Sequence, residues 1–172
     1  MKETKGYFKI ITYGCQMNQR DSEMMSDLLQ AAGYKSVTNA NRADIIVLDT
    51  CCVREKAENK VYGKLGQLRE LKKENPDLII AVAGCMVQQP GKAKKIRHKA
   101  PYVDLLLGTH NITELPQYIK QIKEHRQPRV AVREQAKEII ENVVQRNPKG
   151  SRALVTITYG CNNFCSYCIV PY

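Results

Sequence analysis

Three runs of aliphatic and β-branched residues along the chain have the pattern of strands that are buried on both faces of a sheet. They cover Phe8–Gly14, Ile45–Thr50 and Leu78–Gly84, and each ends in a small or polar residue. A shorter run at Val103–Leu107 has the same character. Continuous apolar runs of this length predict the strands of a parallel sheet, since a sheet with one face in water would show alternating apolar and polar residues.

Helical periodicity separates the predicted strands. Apolar residues recur at helical spacing over residues 24–32, and Gly33 follows at a position where helices commonly end. A longer apolar stripe covers residues 57–71 and is stopped by Asn75-Pro76. The acidic segment at residues 21–23 is interpreted as the cap of the first helix.

Two more helices are predicted in the second half of the chain. The basic run Lys92–Lys99 follows Gly91, and a last helix is expected to open at Asn111 or Thr113. Strand and helix therefore alternate along the sequence. This order predicts an α/β fold, in which a parallel sheet with right-handed crossovers carries helices on both faces.

The chain divides into three parts on this pattern. Residues 1–126 contain the α/β domain, and residues 127–150 are polar and are interpreted as a linker with one short apolar segment, Val130–Val132. Residues 151–172 open with a predicted strand at Ala153–Thr158 and continue into a cysteine-rich loop. The length suits one domain and a tail.

Three cysteines follow three of the predicted strands. Cys15, Cys51 and Cys85 each come at or just after a strand's carboxyl end. In a parallel sheet these ends meet at one edge, where α/β proteins place ligands, so the three thiols are expected to gather there around a metal cluster. Three separately buried core cysteines are the alternative. Cys52 is interpreted as a packing residue near the site, with a role as spare ligand as the alternative.

The terminal loop contains Cys161, Cys165 and Cys168 in the spacing C-x3-C-x2-C. Three thiolates on a four-iron cluster leave one iron without a protein ligand, and an open position is typical of a reactive metal site. Zinc sites more often show two C-x2-C pairs, although a structural zinc site remains an alternative. A disulfide framework is disfavoured, because the chain has seven cysteines, an odd number, and no recognisable signal peptide.

The terminal loop resembles the cluster loop of radical S-adenosylmethionine (SAM) enzymes, and further phrases resemble one family within that class, the methylthiotransferases. The branch that acts on tRNA is the most similar. The phrases occur in the order of the family. They are Thr12-Tyr13-Gly14-Cys15-Gln16-Met17-Asn18, Asp21-Ser22-Glu23, Thr50-Cys51-Cys52-Val53-Arg54-Glu55-Lys56-Ala57, Gly84-Cys85, Ala100-Pro101-Tyr102-Val103-Asp104 and Cys168-Ile169-Val170-Pro171-Tyr172.

The resemblance implies two 4Fe–4S clusters. One is an auxiliary cluster on Cys15, Cys51 and Cys85 in an amino-terminal α/β domain, and it is implicated in sulfur supply. The other is a radical-SAM cluster whose ligands match Cys161, Cys165 and Cys168. In the family this second cluster binds SAM and cleaves it to a 5′-deoxyadenosyl radical. Tyr167 matches an aromatic position of the loop and is a possible SAM contact.

The resemblance also implies a substrate and partners. The tRNA-acting branch adds a methylthio group to carbon 2 of an isopentenylated adenosine beside the anticodon. Related branches act on a threonylcarbamoylated adenosine in tRNA or on a ribosomal protein, and both remain alternatives. An electron donor such as flavodoxin or ferredoxin, a monomeric state and a cytoplasmic location are expected.

Two features depart from the family pattern. The family usually has Asn before the Thr-Cys pair, whereas this chain has Asp49. A carboxylate there would disfavour the reduced cluster, would stay protonated if buried, or would face away. The second departure is length. A complete β/α barrel takes on the order of 200 residues or more, so residues 151–172 are expected to form only the first strand and cluster loop of a truncated radical-SAM barrel.

Composition and charge agree with an RNA-related function. The net charge of +10 is uneven, because residues 91–152 have fourteen Lys and Arg against six Asp and Glu. A basic half favours a nucleic-acid partner, although a solvated basic surface is the alternative. No apolar run is long enough to span a membrane. A cluster-binding or electron-transfer module without catalysis is the competing function.

Overall fold

Six parallel strands form one sheet in the computed structural model, which describes residues 4–52, 55–133, 154, 156–158, 160–168 and 170. The sheet has the order β2-β1-β3-β4-β5-β6, and every neighbouring pair is parallel. The strands are β1 (Tyr7–Tyr13), β2 (Lys35–Ser36), β3 (Ile45–Thr50), β4 (Ile79–Gly84), β5 (Leu105–Leu107) and β6 (Arg129–Ala131). The predicted parallel α/β fold is confirmed, and the predicted strands agree with β1, β3, β4 and β5 to within two residues at each end.

Helices connect the strands. They are α1 (Gln16–Ala31), α2 (Glu55–Glu74), α3 (Cys85–Gln88), α4 (Lys92–Lys99) and α5 (Leu115–His125). Two short 3-10 segments occur at Ala40–Arg42 and Thr109–Glu114, the second directly before α5. The helix that follows β3 ends just before Asn75-Pro76, as the sequence predicted.

The central strands are buried on both faces because consecutive side chains point to opposite sides of the sheet. Ile45 and Val47 pack with α1 and α5 on one face, while Ile46 and Leu48 pack with α2, α3 and α4 on the other. Each fully buried Ile or Leu stabilises the fold by about 1.5–3 kcal/mol. The two hydrophobic layers explain why these strands are uniformly apolar in sequence and confirm that helices cover both faces.

The strand order reverses direction between β1 and β3. From β1 the sheet extends to β2 on one side, and from β3 it extends through β4, β5 and β6 on the other. In open parallel sheets, ligands bind outside the carboxyl ends of the strands at such a reversal. The residues that follow Tyr13 and Thr50 are therefore the expected location of a ligand site.

The start of the first helix differs from the sequence prediction. Asp21-Ser22-Glu23 does not cap α1, because the helix begins at Gln16 and Cys15 is its N-cap residue. Asp21 lies within the helix and is buried, and the Ser22 side chain bonds to β3. Cysteine is an unusual N-cap residue, whereas Asp and Ser are common ones. The sequence therefore predicted the cap at residues 21–23, more than one turn too late.

The sheet continues into the segment that was interpreted as a linker. Strand β6 pairs with β5 through Leu105–Arg129, Leu106–Val130 and Leu107–Ala131. The linker's residues 134–150 lie outside the described part of the chain. Of the strand predicted at Ala153–Thr158, residues 154 and 156–158 are described and are not in a strand. Over the same described ranges, no helix combines the length and the apolar character needed to cross a bilayer.

Candidate metal centre

The fold brings three of the predicted ligands to one edge of the sheet. Tyr13 of β1 is in register with Thr50 of β3, and Thr50 is in register with Gly84 of β4. Cys51 and Cys85 are therefore the first residues beyond two adjacent strand ends. Cys15 follows the end of β1 by one residue more, with Gly14 between. Cys51 is buried, whereas Cys15 and Cys85 are partly exposed.

Two glycines at this edge leave no room for a side chain. A Cβ at Gly14 would lie 2.6 Å from the Cβ of Cys51, and a Cβ at Gly84 would lie 2.5 Å from the Thr50 carbonyl oxygen. Gly84 also has a φ of +98°, a conformation that other residues adopt only with strain. Because these two positions lack a side chain, the three strand ends can lie close together beside the cysteines.

Asn18 joins the elements that position these cysteines. Its side-chain oxygen accepts hydrogen bonds from the Cys15 backbone N–H at 3.3 Å and from the Cys15 thiol at 3.5 Å. Its Nδ2 donates to the Asp49 carboxyl at 2.9 Å and to the Thr50 carbonyl at 3.1 Å. Asn18 is fully buried, and thus a single side chain fixes the start of α1 against the end of β3.

Asp49 is a buried carboxyl group beside the strand ends. It accepts hydrogen bonds from Asn18 and, at 2.8 Å, from the Ser22 hydroxyl. Burial raises the pKa of Asp49 to about 7, although both hydrogen bonds act in the opposite direction, and the nearby charge of Asp21 raises it further. The side chain does not face solvent. Of the outcomes expected for this departure from the family pattern, the structure supports the buried group, whose protonated form predominates below about pH 7.

Cys52 lies beside Cys85. Their thiols share a hydrogen bond, which lowers the pKa of Cys52 and raises the pKa of Cys85; burial opposes the first effect and adds to the second. The ion pair between Glu58 and Lys92, 2.6 Å apart, also acts on the Cys52 thiol. Cys52 thus contacts a predicted ligand directly, which fits both the packing residue and the spare ligand that the sequence left open.

The donor set at this edge fits an iron–sulfur cluster chemically. Thiolates are the usual protein ligands of such clusters, and three of them follow adjacent strand ends. Among the residues described, no group of three or more His, Cys, Asp and Glu side chains is arranged to hold a single metal ion. Ligands of a four-iron cluster bind different irons, so their sulfur atoms need not converge on one point as the ligands of one ion do.

The second predicted set lies in the terminal loop. The Cys168 N–H donates to the Cys165 carbonyl at 3.0 Å, which closes a turn and brings these two cysteines near each other. Cys161 and Cys165 are exposed, and Cys168 is partly buried. The Tyr167 ring is 90% exposed, so no described part of the chain covers the residue predicted as a SAM contact.

Sequence reasoning gave two residues of the site, Asn18 and Ser22, no role at the strand ends. Both hydrogen-bond to Asp49. The signal for Asn18 was its place three residues after Cys15 at the start of a helix, where an N3 side chain reaches back to the N-cap backbone. For Ser22 the sequence held no comparable signal, because only the tertiary fold places α1 against β3.

Comparison with known proteins gives a family and a set of close relatives. A family described as uncharacterized protein family UPF0004 matches residues 7–108, more than half of the chain. The chain is 67% identical over its whole length to a protein of Moorella thermoacetica named tRNA-2-methylthio-N(6)-dimethylallyladenosine synthase, of which it covers 39%. Proteins of the same name from Clostridium tetani and Clostridium botulinum (strain Langeland) are 52% and 50% identical over 99% and 98% of the chain.

The names of these relatives confirm the resemblance to methylthiotransferases. The chain spans about two-fifths of the length of the curated relatives that it matches. The family match includes β1 to β5 together with Cys15, Cys51 and Cys85, and therefore the whole edge of the sheet described above. On this match the chain belongs to the family UPF0004.

Proposed function

We propose that the protein is a tRNA methylthiotransferase that adds a methylthio group to carbon 2 of an isopentenylated adenosine next to the anticodon. Residues 1–172 supply the cluster-binding sheet domain and the cluster loop, which is part of the catalytic apparatus. The observation that carries the proposal is the placement of Cys15, Cys51 and Cys85 beyond three adjacent strand ends. The names of relatives at 50–67% identity support the substrate.

In this proposal two sets of thiolates hold two 4Fe–4S clusters. The six ligands are Cys15, Cys51 and Cys85 for the auxiliary cluster and Cys161, Cys165 and Cys168 for the cluster that binds SAM. When bound, the clusters and SAM supply the radical and sulfur chemistry that the reaction requires. Exposed Tyr167 contributes a contact to SAM in the loop.

The other residues of the sheet edge position the ligands. Asn18 holds the backbone of Cys15 and the end of β3 in one hydrogen-bonded unit. Gly14 and Gly84 allow the strand ends to approach each other. The pKa of Asp49 is raised to about 7, so the protonated form predominates below that pH, and this neutral form adds no negative charge next to an anionic cluster.

The proposal extends to partners and location. The substrate is tRNA, the electron donor is a small redox protein such as flavodoxin or ferredoxin, and the protein acts as a monomer in the cytoplasm. The net charge of +10 supports an RNA substrate, because neutralisation of phosphates dominates nucleic-acid affinity.

Anaerobic reconstitution followed by iron and sulfide analysis tests the two-cluster assignment. We expect about eight irons per chain, and about four after replacement of Cys15, Cys51 and Cys85 together by Ala. The matched control is Cys52→Ala, which should retain both clusters. Full iron content in the triple variant would refute the auxiliary site, and zinc without sulfide would establish a structural zinc protein instead.

A cluster-binding module without catalysis is the second candidate for the chain of 172 residues. The exposure of Tyr167 and of Ile157 favours it, because the surfaces that would enclose SAM are not covered. Reduced, reconstituted protein should therefore release little 5′-deoxyadenosine from SAM, since a site needs a supporting shell to hold its geometry. Turnover at the level of a complete radical enzyme would reject this candidate.

A further inference from the structure

A groove with a volume of about 500 Å³ lies on the surface of the helical layer formed by α2 and α4. Its walls come from the exposed side of α2 and from the carboxyl end of α4 with the turn that follows. Its polar, aromatic and glycine lining residues are Asn59, Tyr62, Gly66, Arg69, Lys99 and Tyr102. None of them belongs to either predicted cluster.

The groove combines positive charge with aromatic rings. The Lys99 ammonium lies 4.8 Å from the centre of the Tyr62 ring, and Arg69 is exposed on the same side of α2. The Tyr102 hydroxyl donates to the Leu65 carbonyl at 2.8 Å, which holds its ring in the wall. No described residue that lines the groove carries a carboxylate. An anionic ligand with flat groups would therefore meet attraction from both features.

One polar atom of the groove wall has no hydrogen-bond partner in the described part of the chain. The Tyr62 hydroxyl oxygen is buried, and within the described residues nothing hydrogen-bonds to it. Buried polar groups in folded proteins are nearly always paired, so each exception calls for an explanation. Because this oxygen is shielded from solvent, a ligand in the groove would reach it only if the Tyr62 ring shifts.

Two glycines on the exposed side of α2 are not required by packing within the described part of the domain. A Cβ at Gly63 or Gly66 would meet no atom within 4 Å. A glycine inside a helix destabilises it by roughly 0.5–1 kcal/mol relative to alanine. Gly66 lines the groove and Gly63 does not. At Gly66 the missing side chain leaves the groove floor open to close approach by a ligand.

We propose that this groove binds a single-stranded segment of RNA. Arg69 binds one phosphate, Lys99 moves from the Tyr62 ring to another, and a base stacks on the ring face that Lys99 leaves. Basic grooves with aromatic side chains are the general solution for single-stranded nucleic acid, because every base has a face that stacks. The inference rests on the proposed function for its choice of RNA.

The position of the groove suits an RNA that is presented to the cysteine edge. Helix α2 begins at Glu55, three residues after Cys52, and Asn59 lies only one turn further along. At 1.5 Å per residue, this end of the groove lies about 6 Å along the helix from the helix start. A strand in the groove would run toward the edge of the sheet where Cys51 and Cys85 lie.

Fluorescence anisotropy with a labelled RNA of about ten nucleotides and mixed sequence, at low salt, tests the groove in the full chain. Arg69→Gln and Lys99→Gln should each weaken binding about three- to tenfold and should reduce the salt dependence by about 0.7 in log–log slope. Tyr62→Leu should weaken binding about tenfold through lost stacking.

Two matched controls separate groove binding from general effects. Lys123→Gln removes the same charge from a Lys whose ammonium lies 4.8 Å from the Tyr34 ring, on the opposite face of the sheet, and should leave binding nearly unchanged. Gly63→Ala and Gly66→Ala should both raise thermal stability, but only Gly66→Ala should weaken RNA binding. If Gly66→Ala is more stable than wild type but binds RNA less tightly, the loss of binding cannot be due to unfolding.

Three results would overturn the inference. They are the absence of RNA binding by the wild-type chain, equal losses with Lys99→Gln and Lys123→Gln, and displacement of the RNA by an acidic peptide of the same length, which would indicate a protein partner. Iron analysis remains independent of all three, because no groove residue is a proposed cluster ligand. Failure of the groove and failure of the methylthiotransferase assignment are thus distinguishable.

Discussion

The side-chain amide of Asn18 donates a hydrogen bond of 2.9 Å to the buried carboxyl group of Asp49. This bond joins the first turn of α1 to the carboxyl end of β3. Cys15 and Cys51 lie next to these two segments. The hydrogen-bonding partners of Asp49 are the neutral groups of Asn18 and Ser22 together with the Thr50 backbone. The proton on Asp49 therefore decides how much the network stabilises the domain.

Asp49→Asn should stabilise the metal-free protein at pH 8. The pKa of Asp49 is raised from 3.8 to about 7 in the folded chain, so the unfolded chain loses its proton first as pH rises. The wild-type free energy of unfolding should then fall between about pH 4 and pH 7 and stay level above that range. Asn avoids this loss, which amounts to a few kcal/mol at about 1.4 kcal/mol per pH unit.

Denaturant unfolding of wild type and Asp49→Asn at pH 4 and pH 8 measures the effect. The stability difference should be large at pH 8 and small at pH 4, where Asp49 is protonated in the folded chain and only partly ionised in the unfolded chain. The same difference at both pH values would show that packing, and not ionisation, distinguishes the two side chains.

Asn18→Ala should destabilise the domain by about 2–4 kcal/mol. It removes the donor to Asp49 and Thr50 and the acceptor for the Cys15 N–H, and it leaves these buried groups short of partners. Chemical denaturation checks the size of the loss. Gln30→Ala is the control on the same helix, because the Gln30–Ser26 hydrogen bond is exposed and its loss should change stability by less than about 0.5 kcal/mol. Equal effects of the two changes would contradict the proposed importance of Asn18.

Gly84→Ala should destabilise the fold by at least about 1–3 kcal/mol. Its φ of +98° is strained for alanine, and the new Cβ would lie 2.5 Å from a carboxyl oxygen of Asp49 and from the Thr50 carbonyl. The thermal midpoint should fall accordingly. Gly63→Ala, in open space on α2, should raise it. A neutral Gly84→Ala would mean that the end of β4 adjusts without cost.

Glu114→Gln should change how the free energy of unfolding depends on pH in the acidic range. Burial opposes ionisation of Glu114, but hydrogen bonds from Tyr118 and Asn111 and the charge of Arg133 outweigh it and lower its pKa. A lowered folded pKa adds stability above the unfolded value of 4.5, and this stability is lost as pH falls through the folded pKa. The variant should be less stable than wild type at pH 7, and the difference should shrink as pH falls below the unfolded pKa, as measured by urea unfolding. A constant difference across this range would exclude ionisation as its source.

Strands were predicted well where burial on both faces left a continuous apolar run, as at Ile45–Thr50, whose bounds agree with the structure. The prediction was weakest where a tertiary contact replaced a local signal. Ser22 looked like part of a helix cap because serine is a common N-cap residue, yet it donates to Asp49 from within α1. Strand β6 was missed as part of the sheet because three residues, two of them exposed or partly exposed, resemble a linker until β5 pairs with them.

The sequence by itself determined the chemistry available to this protein and the parallel sheet that carries it, because thiol spacing and apolar runs are local properties of the chain. It also determined that three cysteines follow three strand ends. Only the tertiary structure decided that Asn18 joins two of those ends, that Asp49 is buried, and that Cys52 touches Cys85. These relationships depend on strand register and helix packing, which bring together residues more than thirty positions apart.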